Sequence, residues 1–331
     1  MQNHGRLIVS IKGTSLSSLE KEMLKHPMIA GLIFFTENYI IPTNYKDKIQ
    51  LRALVDEIKS ITAKPCFIDQ EGGYVQRFGR GFTCLPSGRL YGKAYDLNRD
   101  VGIALARDYG AIMAEQLLEF GIISLAPVCD LDAGNTVISR LDRGFHSNPT
   151  ACTDLAMAYI EGMNSKGMQA TGKHFPGHGH GLADSHNKVV VDNRSLEELE
   201  NNDLAVFINL IKANKLAAVM PAHITFTQID PNHTAGSSRI WLHDILRVKY
   251  GFKGIIVSDC LSMAGAGNGS LLDKTEHALA FGDVALLCHQ EPQAVIELCD
   301  QLMQSNALLS TEAQRRFAIW TNQSINSVAT V

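Results

Sequence analysis

No stretch of 18 apolar residues occurs in this chain, so no membrane-spanning helix is written into it. Lysines and arginines are scattered rather than clustered, and the formal net charge is −4. A nucleic-acid partner needs a basic stripe or patch, so none is expected. The seven cysteines are odd in number and contain no CxxC pair. They read as reduced thiols, not as a disulfide frame. The opening MQNHGRLIVSIKG has only a short apolar run before Lys12 and no signal-peptide layout. A soluble cytoplasmic protein that engages no membrane is the expectation. Internal repeats, low-complexity segments and long linkers are also missing. One domain over residues 1–331 is therefore expected, ending in a helical tail from Glu291 that frays.

What is present is a recurring short apolar run. Eight occur: Arg6–Ile11, Gly31–Phe35, Pro65–Ile68, Ile122–Pro127, Met168–Gly172, Ala217–Met220, Gly254–Ser258 and Val284–Leu287. They are nearly continuous rather than alternating, which suits strands buried on both faces. Helical patterns lie between them, at Leu51–Ile61, Val101–Phe120, Ala151–Lys166 and Ser195–Asn214. The last opens with a Ser195–Glu198 capping box. Strand and helix in alternation imply parallel strands with crossovers, and eight units predict a single (β/α)8 TIM barrel. A doubly wound open sheet is the alternative. In a barrel the chemistry sits where strands end. Those ends read Thr36-Glu37-Asn38, Asp69-Gln70-Glu71, Asp130, Lys173-His174, His223, Asp259 and His289. Helix caps also use Asp and Asn, so one such position alone says little.

Three segments concentrate ionisable groups. In GIIVSDCLSM a buried run ends at Ser258-Asp259, which is either a cap or a site carboxylate. In CFIDQEGGYVQRF, Asp69 ends a run, Gly72-Gly73 permits a sharp turn, and Arg77 can reach a hydroxyl or an anion. In GKHFPGHGHGLADSHNK, four histidines invite a metal. The glycine-rich setting, the absence of nearby Cys ligands and the adjacent cation of Lys173 argue against one. His178 and His180 fit hydrogen-bonded loop residues best. Asp184 and His186, one residue apart, can face each other across a tight turn. A carboxylate there fixes the imidazole's tautomer and raises its basicity, which makes His186 a candidate general acid/base.

KHFPGHG (Lys173–Gly179), ADSH (Ala183–His186), DQEGG-x-VQRF (Asp69–Phe78) and SD-x-LSM (Ser258–Met263) closely resemble the bacterial β-N-acetylglucosaminidases of glycoside hydrolase family 3. MPAHI (Met220–Ile224) and GTSLSSLEKEMLKHP (Gly13–Pro27) look like family segments too. These are single-domain cytoplasmic enzymes of peptidoglycan recycling. The resemblance implies a (β/α)8 barrel that removes terminal β-linked GlcNAc with retention, through a covalent glycosyl-enzyme intermediate. It assigns Asp259 as nucleophile, His186 as acid/base and Asp184 as its dyad partner. It assigns Asp69, Arg77, Arg143, Lys173 and His174 to the sugar hydroxyls. It implies no cofactor, no metal, a small-molecule muropeptide or GlcNAc-containing substrate, and a monomer.

Three departures stand out. The family usually shows SDDLSM, whereas Cys260 follows Asp259 here. The segment AGNTVISRLDRGFH looks longer than its family counterpart, which leaves Arg140 as an alternative to Arg143. His180 stands where other residues are common. Two other functions compete with the glycosidase. One is a metal-dependent barrel hydrolase built on the His174–His186 cluster. The other is an amino-sugar binder without turnover.

Overall fold

The computed structural model describes residues 5–44, 48–134, 137–180, 190–305 and 308–322. Every apolar run overlaps a strand, least at Met168–Gly172, which shares two residues with its strand: β1 (Leu7–Ser10), β2 (Ile29–Phe34), β3 (Cys66–Ile68), β4 (Ile122–Ser124), β5 (Thr171–Phe175), β6 (Ala218–Pro221), β7 (Ile255–Cys260) and β8 (Val284–Leu287). Strands β1 to β6 and β8 are buried along their whole length, as the continuous apolar runs require. All neighbours run parallel, in the order β4-β3-β2-β1-β8-β7-β6-β5. The two ends of that order meet just beyond β4. Thr171 N–H donates to Ala126 O at 2.8 Å, and Cys129 N–H donates to Lys173 O at 2.6 Å. A parallel bridge joins Val128 to Lys173 and completes the ring. The fold is a (β/α)8 barrel, not an open sheet.

Helices fill the connections, including Ile49–Ile61, Arg99–Leu118 and Pro149–Ser165. The last two pack very closely. A Cβ on Gly110 would lie 2.3 Å from Tyr159 O, and one on Gly162 would lie 2.0 Å from Arg107 O. Only glycine permits that approach.

One helix departs from expectation. The pattern Ser195–Asn214 is two helices, Leu196–Glu200 and Asp203–Lys212, although the Ser195–Glu198 capping box forms as expected. The break falls at Asn201-Asn202, where Asn202 leaves helical geometry at φ −129°, ψ −112°. Its side-chain amide donates to Glu198 O at 3.1 Å, a local bond that competes with the helix. The second helix then opens on Asp203. That carboxylate is buried and takes Arg194 Nη1 at 2.6 Å and His180 Nδ1 at 2.9 Å.

The tail contains helices Pro292–Gln304 and Thr311–Trp320. The second helix places Trp320 in the core, and the end expected to fray, residues 323–331, lies outside the described residues. The indole stacks on Phe67, with centroids 4.8 Å apart, and its Nε1–H donates to Thr171 Oγ1 at 2.9 Å. Thr171 begins β5, so this ring seals the end of the barrel opposite the strand C-termini.

Candidate active site

At the carboxyl ends of the strands lies a cavity of 780 Å³. A larger, more open cleft of 1050 Å³ runs beside Lys48, Arg52 and Phe82. The smaller cavity is the functional candidate because ionisable groups from several strand ends converge in it. Asp259 from β7, Asp69 after β3, Arg77, Arg143, and Lys173 and His174 from β5 all line it. Asp184 and His186 lie outside the described residues.

The chain supplies these groups through short local devices. After β3 it folds into a tight hairpin, Gln70–Gly72 against Val75–Gln76. Gly72 and Gly73 take φ of 108° and 57°, the turn that their lack of Cβ allows. The Gln70 amide bonds both N–H and C=O of Phe78, and so fixes the start of the segment after Arg77. Within β5 the Lys173–His174 peptide is cis.

The floor is a buried ionic network. Lys173 Nζ donates to Asp69 Oδ1 and contacts Glu71 Oε1, each at 2.7 Å. Arg143 grips Glu71 with two bonds, Nε to Oε2 at 2.8 Å and Nη2 to Oε1 at 2.9 Å. Burial pushes the Glu71 carboxyl up, but Arg143 and Lys173 outweigh it and hold the group well below the usual carboxylate range. Burial likewise favours neutral Lys173, and Asp69 and Glu71 overcome it. Lys173 is therefore a fixed cation and a hydrogen-bond donor, not a base. Arg77 is less committed. Its Nη2 stands 3.8 Å from Asp69 Oδ2, and its buried Nε has no partner among the described residues. A ligand hydroxyl would satisfy that donor.

His174 is held by Asp130, whose carboxylate is fully buried. Nδ1 lies 2.7 Å from Asp130 Oδ2, and the backbone N–H groups of His174 and His178 donate to Asp130 Oδ1 at 3.0 and 2.7 Å. The carboxylate keeps the proton on Nδ1 and leaves Nε2 as the remaining ring nitrogen. Burial tends to neutralise Asp130, and the charge and hydrogen bond of His174 hold it ionised.

Asp259 Oδ1 accepts the N–H of Cys260 at 2.7 Å. Beneath this segment, His223 Nε2 lies 3.1 Å from Cys260 O, so Nε2–H is the donor. Burial lowers the His223 pKa against the opposing charge of Asp259, which keeps the ring neutral.

Glu71, Asp130 and His223 thus orient the residues singled out from sequence. All three appeared at strand ends, but nothing in the sequence separated groups that face the cavity from groups that hold them. Arg143 faces the cavity, whereas Arg140 is exposed and does not line it. The histidine cluster is divided. His174 and His178 share Asp130, and His180 pairs with Asp203 instead. Among the described residues no group of three His, Cys, Asp or Glu side chains could hold a metal.

Fold and cavity together define a (β/α)8 barrel whose strand ends bring the carboxylate of Asp259 and the fixed cations Lys173 and Arg143 into one cavity. Residues 5–318 match the glycosyl hydrolase family 3 N-terminal domain. A beta-hexosaminidase of Tolumonas auensis is 45% identical over 296 residues, 88% of this chain and 85% of that protein. One from Haemophilus influenzae is 40% identical over 330 residues, 96% of this chain and 91% of that protein. NagZ from Neisseria gonorrhoeae, solved with N-trifluoroacetyl-D-glucosamine, superposes with a TM-score of 0.85 at 37% identity, over 96% of this chain and 90% of that one. The same protein has been solved in complex with zinc ion, with a TM-score of 0.84. The chain belongs to glycosyl hydrolase family 3, and it is a glycoside hydrolase of the β-hexosaminidase type.

Proposed function

We propose that this chain is a retaining exo-β-N-acetylglucosaminidase that removes terminal β-linked GlcNAc from peptidoglycan fragments, GlcNAc-1,6-anhydroMurNAc with or without its peptide. The observation that carries the reading is the convergence of Asp259 with Asp69, Arg77, Arg143, Lys173 and His174 on one cavity. The amino sugar in the gonococcal relative supports GlcNAc as the group recognised.

In this reading Asp259 attacks the anomeric carbon and forms a glycosyl-enzyme ester. His186, oriented by Asp184, protonates the departing glycosidic oxygen and then, neutral, takes a proton from the attacking water. Most retaining glycosidases use two carboxylates for these roles. An imidazole with an ordinary pKa near 6.5 suits both steps at neutral pH. Lys173 and Arg143, locked as cations by Glu71, donate to sugar hydroxyls with little reorganisation. Arg77 and Asp69 supply a further donor and acceptor, and His174 offers Nε2. The enzyme works in the cytoplasm as a monomer, in one catalytic unit over residues 1–331. No helix among the described residues is long and apolar enough to cross a membrane.

The test is release of 4-nitrophenol from 4-nitrophenyl N-acetyl-β-D-glucosaminide, with and without EDTA, by wild type and Asp259→Ala. Release that resists chelator and vanishes in the variant is expected. Release abolished by EDTA would favour the metal-dependent reading, to which the zinc complex of the gonococcal relative gives a specific interest. No release at all would favour a binder.

A further inference from the structure

Strand β7 does not keep one register along β8. Val257 pairs with Val284, but Cys260 pairs with Leu286, so β7 takes three steps where β8 takes two. A regular ladder would set Asp259 opposite Leu286. One residue is extra, and the strand bulges at Ser258-Asp259. Side chains of a regular strand alternate between its two faces. Asp259 and Cys260 are consecutive, yet both line the cavity, which the bulge permits.

The bulge displaces backbone groups from the ladder, and side chains take them. The buried N–H of Leu286 donates to Ser258 Oγ at 3.0 Å. Leu261 N–H donates to Leu286 O at 2.9 Å, in the place that a regular parallel ladder gives to Cys260. The N–H of Cys260 goes to Asp259 Oδ1 instead, at 2.7 Å. Ser258 is buried and does not line the cavity, so its hydroxyl serves the neighbouring strand. Strand β5 repeats the device. Lys173 pairs with Met220 and Phe175 with Pro221, which leaves His174 as the extra residue. There the buried carboxylate of Asp130 accepts the His174 N–H at 3.0 Å. In both strands the bulge carries a group that faces the cavity, and a buried side-chain oxygen accepts a backbone N–H beside it.

We propose that Ser258 is a positioning residue for Asp259: its hydroxyl clamps the bulge of β7 to β8 and so turns the Asp259 carboxylate into the cavity. One hydroxyl is enough, because it stands in for one backbone carbonyl as the acceptor of one N–H. Without it the Leu286 N–H is left buried and short of an acceptor, which is costly. The strand recovers an acceptor by returning to regular register. A shift of one residue carries side chains to the opposite face, and Asp259 with them. The kinetic consequence rests on Asp259 acting as the nucleophile, as proposed above; the consequence for register does not.

The experiment compares wild type with Ser258→Ala, Ser258→Thr and Ser258→Cys by nitrophenol release, by affinity for GlcNAc as a competing ligand, and by crystal structure. Ser258→Ala should lower kcat about 100-fold, the scale of misplacing a reacting group by about 1 Å. Its affinity for GlcNAc should stay within about twofold of wild type, since Asp69, Arg143, Lys173 and His174 keep their places. Ser258→Thr keeps the hydroxyl and should retain most of the rate. Ser258→Cys keeps the volume but offers a poor acceptor, so it should follow Ser258→Ala, and it carries the test if the alanine variant does not fold. In crystals of either, Asp259 should stand opposite Leu286, in the place of Cys260. Wild-type kcat in these two variants, an equal loss of kcat and GlcNAc affinity, or an Asp259 that keeps its place in the crystal would overturn the proposal. If Asp259→Ala itself released nitrophenol at the wild-type rate, a shifted register in Ser258→Ala would sustain the clamp and sink the nucleophile reading instead.

Discussion

Lys173 Nζ stands 2.7 Å from both Asp69 Oδ1 and Glu71 Oε1, joining the end of β3 to the middle of β5 across the barrel mouth. Glu71 completes the network by holding Arg143. Two cations that face the cavity thus depend on one buried carboxylate. Glu71→Gln should destabilise the fold by about 3–5 kcal/mol, because it leaves buried cations without their counter-charge. Urea unfolding of the variant would show the lowered midpoint at an unchanged slope. A shift of under ~1 kcal/mol would mean that solvent already compensates these charges.

Asp130 holds His174 and His178 by hydrogen bonds and adds its charge to those that keep Arg143 a cation. Asp130→Asn keeps the shape but removes the charge that holds the Nδ1 proton. A fall of about 10- to 100-fold in kcat/KM is expected, on the scale of losing a group that orients a functional histidine. Asp130→Glu should recover little, since the carboxylate is fully buried and has no room to lengthen. Steady-state kinetics of both variants would check this.

Arg143 and Arg140 are separated by their surroundings. Arg140→Ala should leave KM and stability within about 0.5 kcal/mol of wild type, as exposed substitutions usually do. Arg143→Ala should raise KM strongly and lower stability, because it strips Glu71 of its bidentate partner. Equal effects of the two would contradict the cavity described here.

His178 and His223 give the protein an acid-sensitive core. Burial lowers both pKa values below the ordinary 6.5. Above that value both rings are neutral in either state, and stability is unaffected by them. As pH falls below it, the unfolded chain gains protons that the folded chain refuses, so stability drops. Each ring can contribute up to about 1.4 kcal/mol per pH unit until its folded pKa is reached. Thermal unfolding between pH 7.5 and 5 should show the decline, and His223→Gln should flatten it.

Trp320 tests the far end of the barrel. Trp320→Ala should cost about 3–5 kcal/mol, through the lost stack on Phe67 and the cavity left behind. At 25 °C the folded variant should keep wild-type kcat/KM, since the ring seals the end opposite Asp259. Calorimetry beside nitrophenol kinetics separates the two effects.

Much of the frame was legible in advance. Eight buried strands announce themselves because a strand covered on both faces must be apolar throughout, and that pattern is local. The polar residues after the runs divide: Thr36, Glu37, Asp69, Glu71, Lys173, His174, Asp259 and His289 line the cavity, whereas Asp130 and His223 do not. The helix Ser195–Asn214 was misread because its interruption serves Asp203, a residue whose partners Arg194 and His180 come from the preceding loops. Periodicity over Ser195–Asn214 is blind to that demand. The helical tail is legible too, but not the place of Trp320, which is set by Phe67 and Thr171, each at least 149 residues away.

By itself, then, the sequence determined the barrel and the motifs that mark its mouth, since both are encoded in neighbouring residues. Tertiary structure alone decided the division of labour among the ionisable groups. Asp69, Glu71 and Asp130 look alike on the page, as strand-end carboxylates. Folding gives Asp69 a lysine it shares with Glu71, a loose arginine and an open cavity, Glu71 two cations, and Asp130 a histidine and two backbone N–H groups. Cys260 and Cys288, 28 residues apart in sequence, line one cavity only because β7 lies beside β8. Charge state and reactivity follow from what surrounds a group in space, and that neighbourhood exists only once distant segments have packed.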